Sequence, residues 1–499
     1  MVGRTHLIVL SLLTALCAPA LAEAEKEYLA VFMEGKKVGY GIHTRAVADG
    51  KVTTTEEVSI TITRMGMPIT VKMTETSVET TAGKPLRFES VQDLGAMVMK
   101  VAGVVGSDGV VQVTSASLGM EQKSTIQWPA GAVMAEGLRL LTLKHGLKQG
   151  VEYSASIFSP GVMQAINAKV TVGTKKQVDL LGRVRTLTEM TTIMNVPGAG
   201  NMTSISYVDD DMQALKNVMP IAGMQVEMVS CTKEVALGGN EILDLIDRMF
   251  VKSPESIDDL ASVSAIAYLL NPGPGADFVI PSTDNQQAKR LPNGKIALVV
   301  KPVAAPAGGT FPYKGDDPDL LEAVKPTRFL QSDHPEIVKL ARKTTAGARD
   351  STEAARRIES FVAEYITNKS LSVGYASAAE VVESRQGDCS EFAVLTAALC
   401  RAAGIPAEVV VGMAYVKEFA GIEGFGGHAW ARAYLGGDRQ GRGGQWIGLD
   451  AAFKSGGRGG YDAGHIALAT GHGEPGDFFN MATALGQFTI ENIKIQRAK

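Results

Sequence analysis

The stretch SRQGDCSEFAVL, Ser384 to Leu395, places Cys389 directly after Gly387 and Asp388 and directly before an apolar helical pattern. Gly387 permits a sharp approach to a helix. Asp388 is a good N-cap, which puts Cys389 in the first helical turn. There the unpaired backbone N–H groups and the helix dipole favour a thiolate over a thiol. Phe392, Leu395 and Leu399 define an apolar stripe, and Gly404-Ile405-Pro406 stops the helix. A cysteine in this position is either a small core residue that opens a helix or a nucleophile.

A thiolate needs a partner that stabilises it and moves protons. GGHAWARAYL, Gly426 to Leu435, supplies His428. On a strand, His428, Trp430, Arg432 and Tyr434 share one face, and Ala429, Ala431, Ala433 and Leu435 share the other. A Gly-rich turn follows, and the chain returns as WIGLDAAF, Trp446 to Phe453. A turn centred near residue 439 sets His428 opposite Asp450 on antiparallel strands, with both side chains on one face. The order Cys389, His428, Asp450 is that of nucleophile, base and orienter.

The other cysteines lack this setting. Cys400 lies on a similar azimuth three turns deeper and reads as core, as does Cys231 in the strand-like VEMVSCTKEV. Cys389 and Cys400 would be roughly 16 Å apart on one helix, too far to bridge. His465 and His472 flank a Gly-rich tail with no Cys or carboxylate at ligand spacing beside them, so neither predicts a metal site.

The N-terminus reads as an export signal over 1–22. Arg4 is a short basic region, Leu7 to Leu16 an apolar core, and Ala20-Leu21-Ala22 before Glu23 a cleavage site. The mature chain is expected to begin near Glu23, in a bacterial periplasm or secreted, with no transmembrane segment. Removing the signal leaves Cys231, Cys389 and Cys400, an odd number that excludes a full disulfide framework. The 499 residues exceed one ordinary core, and 45% hydrophobic with 20% charged residues fits a globular protein. A formal net charge of -4, with no basic block interleaved with aromatics, argues against nucleic acid as a partner.

Residues 23–240 read as all-β. Val58, Ile60 and Ile62 alternate with Ser59, Thr61 and Thr63, and Ile69, Val71 and Met73 with Thr70, Lys72 and Thr74, which makes a hairpin. MAEGLRLLTLKHGL, Met134 to Leu147, is one helix within it. Residues 241–330 read as a Pro/Gly-rich linker with strands of its own. From 331 to 499 the pattern is first helical, with Asp333 as an N-cap and Ile358, Phe361, Val362 and Tyr365 on one stripe.

SRQGDCSEFAVLTAALCRAAGIPAEVVVGMAYV, then HAWARAYL, then WIGLDAAF resembles the transglutaminase-like core, a branch of the papain-like thiol enzymes. The pattern of R-x-G-x-C before a helix, an R-A-x-G-I-P turn, H-A-W on a strand and W-x-x-x-D after it covers about residues 330 to 460. With the length and the hairpins of the β region, this resemblance leads to the expectation of a multidomain α+β protein. An N-terminal, mostly antiparallel β domain, a curved meander or barrel-like sheet, precedes a transglutaminase-like α+β domain. It implies Cys389 as nucleophile, His428 as general base and acid, and Asp450 as the residue that orients the imidazole. The backbone N–H of Cys389 would be one oxyanion donor, with Gln386 and Trp430 as further oxyanion or substrate contacts. Glu408 and Ala451-Ala452 depart from the family's usual Arg and Pro-Thr. KEFAGIEGFGG, Lys417 to Gly427, reads as a short mobile loop that gates the cleft.

The expected function is an exported acyl-transfer enzyme that forms a thioester from a peptide or glutamine amide and hydrolyses it. The alternatives are a protein-glutamine transglutaminase with an amine acceptor, and a non-catalytic scaffold that kept the fold. The partner would be a peptide or protein of the cell envelope. No cofactor is expected, and the calcium loops of animal members have no visible counterpart.

Overall fold

The computed structural model describes residues 24–64, 67–93, 98–117, 120–196, 200–221, 224–243, 250–273, 278–369, 376–419, 422–438, 440–473 and 486–498. The export signal expected over 1–22 lies outside the described residues.

Alternating apolar residues and tight turns make a 15-stranded sheet of the N-terminal region. From β1 (Glu25–Met33) to β8 (Met120–Gln127) the chain is an antiparallel meander. The expected hairpin is present, with Thr61 opposite Thr70 and Ile62 opposite Ile69. A second meander runs from β10 (Glu152–Ser159) to β15 (Met224–Cys231), and β15 pairs with β1. The two-residue β9 (Ala132–Val133) pairs with β10 at the far edge.

The strand order forces the sheet to curl. β8 and β9 lie at opposite ends of the order, yet only residues 128–131 separate them in the chain. The two ends share a core in which Phe88, Val101, Val111 and Val113 pack with Ala132 and Phe158. The Trp128 and Phe158 rings are 4.6 Å apart. The helix Ala135–His145 then packs against the sheet, and Met134 provides no side-chain cap. Glu79 caps it instead, accepting the Glu136 and Gly137 backbone N–H groups at 2.7 and 2.9 Å. A carboxylate there satisfies donors that the first helical turn leaves open.

The C-terminal region is a layered α+β unit. β20 (Ala407–Phe419) and β21 (Ile422–Leu435) form its central hairpin. KEFAGIEGFGG is therefore mostly paired strand, not a mobile gate: Val416 faces Gly424 and Tyr415 faces Phe425. Alternation of Tyr415 and Phe425 into a buried layer holds it down. β23 (His465–Gly471) pairs with β20. On the other edge of β21, β16 (Phe250–Lys252) takes Gly424 to Gly426, and β22 (Gln445–Leu449) takes Ala431 to Leu435.

The helices Cys389–Ala402 and Ser351–Tyr365 meet this sheet, and Pro335–Thr345, Ala378–Ser384 and Ala451–Ser455 pack on those two helices. Ala429, Ala431, Ala433 and Leu435 join Ile358, Val362, Phe392, Leu395 and Leu399 in the core. The first helix is capped by His334, with Pro335 at its first turn, rather than by Asp333. A proline's fixed φ favours the first helical position and so sets the start one residue later than Asp333 predicts.

Further along the strands, the central hairpin packs on a four-stranded sheet. That sheet holds β17 (Val263–Pro272), β18 (Gln286–Arg290) and β19 (Ile296–Val300), with the C-terminal strand β24 (Phe488–Arg497) beside β17. Ile266, Leu270 and Leu298 pack there against Met413, Tyr415 and Ile466. The 241–330 stretch thus supplies strands to both sheets of the C-terminal unit. Met99 of the N-terminal sheet is buried in the helical core, with its sulfur 2.8 Å from the Arg328 guanidinium. No helix among the described residues is long and apolar enough to cross a membrane.

Candidate active site

Asp388 caps the Cys389–Ala402 helix, and its side chain accepts the Ser390 backbone N–H at 3.0 Å. Glu391 completes a capping box by accepting the Asp388 N–H at 2.8 Å. Its other oxygen accepts the Ala376 N–H, also at 2.8 Å. Burial first, then the Asp388 charge, push the Glu391 carboxyl up to about 8, so it is mainly uncharged at neutral pH. Cys389 is half-buried at the first helical position, where its backbone N–H has no helical partner. Gly387 is needed for this approach: a Cβ there would lie 2.2 Å from the Glu391 Cβ.

The strand supplies the base. Among the described residues, β16 and β22 leave the edge of β21 between Gly426 and Ala431 without a strand neighbour, and His428 lies in this gap. His428 is 8% exposed, and its Nε2 is 2.8 Å from Asp450 Oδ2. This leaves Nδ1 for the Cys389 side of the ring. Phe453 stacks on the imidazole with centroids 4.3 Å apart and planes 17° apart. Burial opposes a charged ring, but the Asp450 carboxylate outweighs it, helped by Cys389, and raises the His428 pKa to about 9.

Asp450 is 1% exposed and does not sit on the ladder. The last pair is Ala431 with Leu449, a register two residues beyond the one that sets Asp450 opposite His428. Asp450 is instead the N-cap of Ala451–Ser455, with Oδ1 accepting the Phe453 N–H at 2.9 Å. Its own backbone N–H donates to Glu359 Oε1 at 2.9 Å. Burial would raise its pKa, but the two imidazoles beside it hold the carboxyl well below the usual range. The capping turn, rather than strand alternation, aims the carboxylate at His428.

His465 is the site neighbour that sequence reasoning missed. Its Nε2 lies 3.0 Å from Asp450 Oδ2, and its Nδ1 lies 3.0 Å from Asp462 Oδ1. The expectation that no carboxylate stands beside His465 is thus overturned twice: Asp462 is three residues upstream, and β23 carries the ring to Asp450. The signal was the Asp462-x-x-His465 spacing. His472 lies elsewhere, its Nδ1 2.9 Å from Arg401 Nη2.

Of the further contacts, Trp430 is buried. At 3% exposure it packs with Val410 and Ala467 and meets the His465 ring edge-on, so it walls the site beside His428. The Gln386 amide oxygen accepts from Asn368 Nδ2 at 3.1 Å. Glu408 finds its reason across the ladder, where its Oε2 accepts from Arg432 Nε at 2.7 Å. Cys400 is fully buried, which pushes its thiol up to about 12, and burial also raises that of Cys231.

His428 Nε2, Asp450 Oδ2 and His465 Nε2 lie within 4.8 Å of one another, close enough to resemble a cation site. The two short N–H to carboxylate bonds already satisfy these atoms, so the group reads as a hydrogen-bonded cluster.

Residues 338–451 match the model of the transglutaminase-like superfamily, so Cys389, His428 and Asp450 all fall inside the matched segment. The C-terminal unit therefore carries a transglutaminase-like domain, of a thiol-dependent enzyme family. Among solved structures, a candidate cysteine protease from Cytophaga hutchinsonii is 20% identical with a TM-score of 0.28, over 47% of this chain and 86% of that one. A β-barrel-like protein of a domain family of unknown function from Brucella abortus is 11% identical with a TM-score of 0.33, over 42% and 96%. The periplasmic domain of TgpA from Pseudomonas aeruginosa is 14% identical with a TM-score of 0.27, over 41% and 86%. No curated protein matches the chain.

Proposed function

We propose that the protein is an exported cysteine-dependent acyl-transfer enzyme that hydrolyses amides of peptides or proteins in the cell envelope. The observation that carries this is the placement of Cys389. It opens a helix beside His428, whose far nitrogen is held by the buried Asp450 at 2.8 Å.

In this reading the Cys389 thiolate and the His428 imidazolium form the resting pair. Sγ attacks the amide carbonyl carbon, and the oxyanion meets the free backbone N–H of Cys389. His428 Nδ1–H protonates the leaving amine as the C–N bond breaks, which leaves a thioester on Sγ. The now neutral His428 takes a proton from water, whose oxygen attacks the thioester, and the acid leaves as the thiolate is restored. Asp450 keeps the ring oriented and favours its charged form throughout. We assign 1–22 to the export signal, 23–240 to the β domain and 331–499 to the catalytic domain, with 241–330 between them.

The test is acylation of the mature chain by p-nitrophenyl acetate, followed by intact mass and peptide mapping. A hydroxylamine-labile acetyl on Cys389, absent in Cys389→Ala and strongly slowed in His428→Ala, is the expected result. Acylation that is unchanged in Cys389→Ala contradicts it.

A further inference from the structure

We propose that His465 is a positioning residue: an imidazolium held between the Asp450 and Asp462 carboxylates, which fixes Asp450 against His428 and offsets part of its charge. This rests on reading Cys389, His428 and Asp450 as the reacting triad.

The geometry requires two N–H groups on His465. Its side chain is fully buried, with one carboxylate oxygen 3.0 Å from each ring nitrogen. An ionised carboxylate only accepts hydrogen bonds, and a neutral imidazole has one N–H. A neutral ring would therefore aim a lone pair at one carboxylate. The Asp462 backbone N–H, 3.2 Å from Nδ1, is the alternative donor, but a ring accepting it still sets that lone pair against Asp462 Oδ1.

Arg458 closes the far end, with Nη2 2.9 Å and Nε 3.1 Å from Asp462 Oδ2. Charges thus alternate along Arg458, Asp462, His465, Asp450 and His428. The remaining neighbours are rings: Tyr461 at 4.7 Å, Trp430 at 5.0 Å and Phe453 at 5.2 Å between centroids. Burial keeps the Tyr461 phenol uncharged. Burial also opposes a charge on His465, but the two carboxylates outweigh it and raise its pKa to about 9.

The consequence follows from sign. Asp450 Oδ2 is shared between two imidazoles. Removing the outer cation leaves its full charge on His428 and removes a positive charge from the neighbourhood of Cys389. Loss of a nearby cation raises the pKa of every group it faced. The thiolate then forms at higher pH, and the His428 proton is held more tightly than the leaving amine requires.

Two measurements on the full mature chain separate the possibilities. The first is NMR of 15N-labelled histidine in the Cys389→Ala background, with His465 assigned by its loss in His465→Gln. Both ring nitrogens should be protonated at pH 7.5, and Asp462→Asn should lower the His465 pKa by about one unit. A single protonated nitrogen at pH 7.5 overturns the proposal, whatever the reactivity of Cys389. The second is the pH profile of Cys389 alkylation by iodoacetamide in His465→Gln, which keeps a donor for Asp450 and loses the charge.

The acid limb should move up by about 0.5–1 pH unit, a three- to tenfold slower rate at pH 6. An unmoved limb would mean a structural donor only and would overturn the charge role. Should His465→Gln fail to fold, Asp462→Asn gives the same readout, because it removes the anion that holds the cation. An unreactive Cys389 in the wild type would overturn the triad and the positioning role together, while the NMR arm would still report the state of His465.

Discussion

Glu359 holds Asp450 from a separate helix: its Oε1 accepts the Asp450 backbone N–H at 2.9 Å, and its Oε2 meets Lys454 Nζ at 2.9 Å. The residue that orients the imidazole is thus itself fixed by the helix Ser351–Tyr365 and by the turn that it caps. Glu359→Ala leaves a buried N–H unpaired and should cost about 2 kcal/mol. Glu359→Gln keeps an acceptor and should cost less. Urea denaturation of both variants, beside their Cys389 alkylation rates, checks that the two losses run together.

Asp450→Asn removes the charge that raises the His428 pKa while leaving the shape of the site. Burial is then opposed mainly by Cys389, and the pKa of the ring falls. The thiolate–imidazolium pair becomes scarce at pH 6–7, and acylation of Cys389 should slow by about two to four orders of magnitude. Stopped-flow release of p-nitrophenol reads this, and a loss below about tenfold would remove Asp450 from the role assigned to it.

Gly387→Ala sets a methyl group where only 2.2 Å separates the new atom from the Glu391 Cβ. Glu391 must shift, which disturbs the cap of the Cys389 helix and its bond to Ala376. A loss of about 1–3 kcal/mol is expected, together with slower acylation. Thermal unfolding and acylation kinetics of this one variant check both effects.

The cluster also sets a pH dependence of stability. His428 and His465 each have a folded pKa of about 9, above the ordinary 6.5. Their contribution is complete below pH 6.5 and is lost as pH rises toward 9. Tm should therefore fall across this window, and His465→Gln should flatten the fall by removing one of the two groups. A Tm that rises from pH 6.5 to 9, or an identical slope in the variant, contradicts this.

The Cys389 helix start and the His428 strand were legible because local chemistry writes them: Asp388 caps, and alanines alternate with polar residues along β21. The hairpins of the β region were legible for the same reason. What failed depended on distance. The β21–β22 register slipped by two because glycines at 436, 437, 441, 443 and 444 leave the turn geometry open. Glu359 lies 91 positions from Asp450, and His465 reaches the site only because β23 pairs with β20. Trp430 shares a strand face with His428, but the rings of Tyr461 and His465 cover it. The curved β sheet was expected from its run of hairpins, and the order of its two edge strands supplies the physical reason for the curl.

The central claim is that Cys389 is a thiolate paired with His428, and iodoacetamide alkylation across pH, read by peptide mass at each cysteine, tests it most directly. The account predicts that Cys389 alkylates below about pH 7, that Cys231 and Cys400 stay protected, and that His428→Ala abolishes the low-pH reaction. A Cys389 that reacts only as an ordinary thiol of pKa about 8.5 would contradict it.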